Sequence, residues 1–94
     1  MTYDEEVANP RREIDRLSKE ILAKIAERVQ VAIRIGEIKR KYGKPIYDQT
    51  REQVVLSSVR VQAAKLGLDP EAAVRVFEQI VKLTAVAEGK QRSG

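Results

Sequence analysis

Apolar residues in the first half of the chain recur at helical spacing. Placed at about 100° per residue, Ile14, Leu17, Ile21, Leu22, Ile25, Ala26, Val29, Ala32, Ile33 and Ile35 fall within an arc of roughly 180°, the face a helix turns inward. Arg12, Arg16, Lys19, Glu20, Glu27, Arg34, Glu37 and Lys41 lie opposite, toward water. Asn9-Pro10 offers an N-cap followed by a proline at the first helical position, and Gly43-Lys44-Pro45 offers a stop. The pattern predicts one helix from about Pro10 to Tyr42. At ~1.5 Å per residue it would be ~48 Å long. A compact chain of this length has a radius of gyration of only ~12 Å, so a lone chain cannot bury such a helix along its length.

Asp48 is a good N-cap for a second helix over Gln49 to Leu66, which Gly67 closes, and Asp69-Pro70-Glu71 opens a third from Pro70 to Ala87 or a little beyond. Ala73, Val74, Phe77, Ile80 and Val81 mark the apolar face of that third helix. No segment alternates with period two for long. The expectation is an all-α chain of one long and two shorter helices, a single domain over residues 1–94 with flexible tails at 1–9 and 89–94. So little follows the third helix that no fused domain is expected within these residues.

Composition narrows the chemistry. Lys and Arg number 18 against 14 for Asp and Glu, a net +4 with a pI near 9.6, which suits an acidic metabolite or nucleic acid. There is no cysteine and no histidine, so disulfides, thiolate chemistry, histidine bases and the usual zinc sets are excluded. No metal or cofactor is expected. Neither a signal core nor an apolar run of membrane-spanning length is present, which predicts a cytoplasmic protein.

Three cations break the first helix's pattern most plainly: Arg11, Arg28 and Lys39 fall inside the apolar arc, and Asp15 and Arg40 do too, less centrally. Long basic side chains can snorkel from an apolar face. Arg28, however, sits mid-helix among Ile21, Ile25, Ala32 and Ile35, where a guanidinium needs an anionic partner. Arg28 and Lys39 are separated by about 20° in rotation and ~16 Å along the axis, close enough to share one small anion. Arg11 lies ~25 Å from Arg28 along the same rod. It can join that ligand only from an antiparallel partner helix, as in a two-fold dimer with two equivalent sites. Thr84 and Glu88 interrupt the apolar face of the third helix in the same way, and Asp48, Arg51 and Glu52 add polar groups. Singly, each has an ordinary reading: Thr84 bonded back to its own helix, Asp48 a cap, Arg51 solvated, Glu88 a helix end. Together they suggest a site.

The residues Arg11, Ile14, Asp15 and Leu17, the runs Ala26-Glu27-Arg28 and Gly36-x-x-Lys39, and Pro45-x-x-Asp48-x-x-Arg51-Glu52 resemble the all-helical chorismate mutases over nearly the whole chain. The resemblance implies rearrangement of chorismate to prephenate, on the way to phenylalanine and tyrosine, by an intertwined homodimer with composite sites. It further implies that Arg28, with Arg11 of the partner subunit, clamps the substrate carboxylates and that Arg51 adds to the field. Lys39 would bridge a carboxylate and the ether oxygen, Asp48 and Glu52 would recognise the hydroxyl, and Thr84 would face a carboxylate. Glu88 stands where some members carry an amide toward the ether oxygen. An ionised carboxylate cannot donate a hydrogen bond, so Glu88 is expected to act protonated and the rate to rise as pH falls. Two other readings are an isochorismate-pyruvate lyase of the same fold and a basic helical binding module for nucleic acid or a protein. The intact Asp48, Arg51 and Glu52 set favours the mutase over the lyase. Inward-facing cations and few aromatics disfavour the binding module.

Overall fold

A computed structural model of the chain describes residues 1–90, in three helices: α1 (Tyr3–Lys41), α2 (Gln49–Lys65) and α3 (Pro70–Lys90). Among the described residues there is no strand, in keeping with the all-α expectation. The first helix begins seven residues before Pro10. Thr2 caps it: its Oγ1 accepts from the Glu5 backbone N–H at 3.2 Å, and Asp4, Glu5 and Glu6 fill a first turn that favours negative charge. Asn9 is therefore not the cap, and Pro10 sits inside the helix, where the missing N–H costs one bond but does not end it. Residues 3–9, expected as part of a flexible tail, are helical. At the other end α3 includes Gly89 and Lys90, and the remainder of the expected tail, 91–94, lies outside the described residues.

Both stops between helices behave as expected. Gly43 and Gly67 take positive φ, 65° and 77°, and each follows the C-cap residue. Lys44 N–H donates to the Lys39 carbonyl and Gly43 N–H to that of Arg40, and Leu68 and Gly67 repeat the pattern on Ala63 and Ala64. These are Schellman closures, which left-handed glycines permit. Asp48 and Asp69 cap the next helices through the N–H groups of Arg51 and Ala72, each at 3.0 Å. The α2–α3 hairpin is tied at its turn by Arg60, whose Nε and Nη2 reach the two Glu71 oxygens at 2.7 and 3.3 Å. This pair holds the Glu71 carboxyl below its usual 4.5, by hydrogen bonding first and charge second. Its contribution is complete above that value and is lost as pH falls through the lowered one.

The helix α3 packs against both α1 and α2, which do not pack on each other. The result is thin and long, 63 × 30 × 14 Å, with a radius of gyration of 17.5 Å, well above the ~12 Å of a compact chain. Buried apolar residues are few and small: Ala32, Ala63, Val74 and Val81. Only the C-terminal half of α1 meets α3 closely, whereas Ile14, Ile21 and Leu22 remain 60%, 59% and 65% exposed. Half of the apolar stripe of α1 thus has no cover among the described residues.

Candidate active site

Where the end of α1, the α1–α2 loop, the start of α2 and the last turns of α3 converge, they enclose a cavity of about 440 Å³. That is within the usual range of ~300–1,000 Å³ for small-molecule sites. Seven of the eight residues singled out from the sequence line it: Arg28, Lys39, Asp48, Arg51, Glu52, Thr84 and Glu88. Arg11 does not line it and is exposed on the far part of α1.

The cations are held in place by specific partners. Arg28 Nη1 donates to Thr84 Oγ1 at 2.7 Å, while the Thr84 hydroxyl is turned back toward the carbonyls of Ile80 and Val81, at 3.1 and 3.0 Å. Thr84 is 4% exposed, so its oxygen serves as a fixed acceptor that orients the guanidinium. Thr84→Val removes that acceptor at constant shape. We expect about tenfold lower kcat/KM from Arg28 misorientation with little change in Tm, read by steady-state kinetics and thermal unfolding.

Lys39 Nζ donates to the Ile46 carbonyl at 2.6 Å and stands 2.7 Å from Glu88 Oε1. The second contact is close enough to be an ion pair, but its angles miss hydrogen-bond geometry, so buried Glu88 Oε1 lacks a directed donor. Glu52 Oε2 is also buried without a hydrogen-bond partner. Glu88 Oε1 still has the Lys39 ammonium beside it, so Glu52 Oε2 is the one left as an acceptor site for a ligand bearing a hydroxyl proton. The Asp48 carboxylate is engaged in capping α2, which leaves Glu52 as the available acceptor of that pair. Tyr47, which the sequence reading did not single out, lines the same wall. Neighbouring Glu52 pushes its phenol above the usual 10.0, by a hydrogen-bonding approach first and by charge second. The apolar walls come from Val31, Ala32, Ile35, Val55 and Val81. A cavity with cations, hydroxyl acceptors and greasy walls suits a small, polyanionic, partly apolar ligand.

The chain matches the family model of chorismate mutase type II over residues 10–88, which takes in every residue of this cavity. It belongs to that family. Relatives include the chorismate mutase of Methanocaldococcus jannaschii, 31% identical over 83% of this chain and 79% of that protein. The bifunctional chorismate mutase/prephenate dehydratase of Aquifex aeolicus is 36% identical over 92% of this chain, and the T-protein of Enterobacter agglomerans 33% identical over 83%. The chain spans only 25% and 21% of the length of those last two. The matched span begins at Pro10, so the first turns of α1 lie outside it. Among the described residues no helix is long and apolar enough to cross a membrane.

Proposed function

We propose that the chain catalyses the rearrangement of chorismate to prephenate, acting as a cytoplasmic homodimer. The observation that carries this reading is one cavity lined by Arg28, Lys39, Arg51, Glu52 and Glu88 in a chain of the chorismate mutase type II family. The reaction breaks an ether C–O bond while a C–C bond forms, and negative charge gathers on the ether oxygen. It needs no nucleophile. Two carboxylates must be held so that the reacting carbons meet, and Arg28 and Arg51 are cations suited to that clamping. Glu52 accepts from the substrate hydroxyl through its unpartnered oxygen. Lys39, held at the cavity wall by the Ile46 carbonyl, strengthens its interaction as charge builds on the ether oxygen, which selects the transition state over the substrate. The isochorismate-pyruvate lyase reading is tested alongside, by product analysis with both substrates; prephenate from chorismate alone is the expected outcome.

Glu88 gives this reading a second test. In the free site it pairs with the Lys39 ammonium, and Arg40 Nη1 approaches its backbone carbonyl at 3.4 Å. Once substrate engages Lys39, an ionised Glu88 would repel the charge on the ether oxygen, whereas the protonated acid would donate to it. Glu88→Gln, whose amide can always donate, is therefore expected to keep at least the parent kcat, whereas Glu88→Ala, which cannot donate, should lose about 10²-fold. The measurement is kcat from loss of chorismate absorbance under saturating substrate. Equal kcat for Glu88→Ala and the parent would remove Glu88 from the chemistry.

The site is completed in this reading by Arg11 of a second copy. The uncovered stripe at Ile14, Leu17, Ile21 and Leu22 supports an α1-to-α1 contact, because so much exposed apolar surface is costly on an isolated chain.

A further inference from the structure

Gly36 is buried on α1, and all three nearest atoms that a Cβ there would meet belong to Glu88: its carbonyl O at 2.7 Å, its Cγ at 2.9 Å and its carbonyl C at 3.4 Å. The first is far inside ordinary contact and belongs to the backbone, which cannot turn aside as a side chain can. One turn later Arg40 Nη1 donates a long hydrogen bond, 3.4 Å, to that same carbonyl. Between the two positions Lys39 holds the Glu88 carboxylate at 2.7 Å. One stretch of α1 thus seizes a single residue of α3 at both its backbone and its side chain.

We propose that Gly36 and Arg40 form a notch that receives the Glu88 carbonyl and so determines where the Glu88 carboxyl group stands over Lys39, making both of them positioning residues. The proposal deepens the mutase reading and rests on it for its kinetic part. A methyl group at position 36 must push the end of α3 off α1, which parts Glu88 from Lys39 while leaving Arg28 and Arg51 free to bind carboxylates. Displacements of this size near reacting groups commonly cost up to about 10²-fold in rate.

Gly36→Ala is therefore expected to lower kcat about 10–100-fold with KM changed less than about threefold. Arg40→Met is expected to act in the same direction, and Arg40→Lys to restore most of the loss. Alanine is the better helix former, so a glycine with no role beyond helix geometry would yield to it with unchanged kcat and a raised Tm. A second arm needs no activity: Glu88→Gln should shift Tm in the parent chain but not in the Gly36→Ala background, where the pair is already parted. Unchanged kinetics together with additive Tm shifts would overturn the notch. If the parent chain fails to rearrange chorismate, the mutase reading falls while the Tm cycle still judges the notch. If Gly36→Ala does not fold by circular dichroism, the Arg40→Met and Arg40→Lys pair decides, in kcat and in the same Tm cycle.

Discussion

Lys39→Ala is expected to reduce kcat/KM for chorismate by about 10³-fold, most of it in kcat. Removing one donor to a developing oxyanion commonly costs ~10²–10³, and two features of this site push the loss to the upper end. Lys39 is anchored by the Ile46 carbonyl at 2.6 Å, so its ammonium is already ordered when charge develops. Its removal also strands the Glu88 carboxylate, whose side chain is 12% exposed, beside the ether oxygen without its countercharge. Lys39→Arg should not rescue, because a broad planar fork does not fit where a point charge sits between the Ile46 carbonyl and Glu88. Loss of chorismate absorbance under saturating substrate measures it. A Lys39→Ala protein retaining more than about a tenth of the parent kcat would remove Lys39 from transition-state stabilisation.

Arg11→Ala should lower kcat/KM by about 10²-fold or more, although Arg11 lies outside the cavity of its own chain. The reason is electrostatic. The cavity is lined by three basic side chains, Arg28, Lys39 and Arg51, and by three acidic ones, Asp48, Glu52 and Glu88. Taken alone, that lining carries no net charge to hold a dicarboxylate. In the proposed dimer a cation from a second copy would supply the missing attraction, and subunit mixing isolates its origin. Arg11→Ala and Lys39→Ala chains are each impaired, yet a mixed dimer has one site with both residues intact. Unfolding and refolding them together in equal amounts should restore about a quarter of the parent activity, since half the dimers are mixed and each holds one good site. No recovery on mixing, with dimers confirmed by light scattering, would mean that Arg11 acts on its own chain or not at all.

Several features were legible along the chain because their causes are local. Asp48, Asp69, Gly43 and Gly67 act within a few residues of themselves, and the structure has each where capping chemistry puts it. The start of α1 was misread because two competing starts lie close together. Asn9-Pro10 has the stronger local pattern, but Thr2 with the acidic Asp4, Glu5 and Glu6 begins the helix earlier, and a single proline does not break it. Thr84 shows another limit. Its place on an apolar face announced a polar role, but the hydroxyl proton turns back to Ile80 and Val81, and its oxygen meets Arg28 from 56 residues away. No spacing within α3 contains that contact. The same holds for Tyr47 beside Glu52 and for the apolar walls at Val55 and Val81, which come to line the cavity only when α3 packs against both α1 and α2.

The cationic stripe of α1 separates what sequence can settle from what it cannot. Rotation and rise per residue are properties of the helix itself, so the sequence alone determined that Arg28 and Lys39 share a face and that Arg11 is too far along it to join them. It also excluded histidine, thiolate and zinc chemistry, which depend only on residue types being present. The partners of those cations were decided by tertiary structure alone: Thr84 for Arg28, Ile46 and Glu88 for Lys39, and the close approach of Glu88 that the missing side chain of Gly36 allows. Those contacts depend on helix-to-helix distances set by packing, and a periodic pattern along one helix carries no information about how near the next one comes.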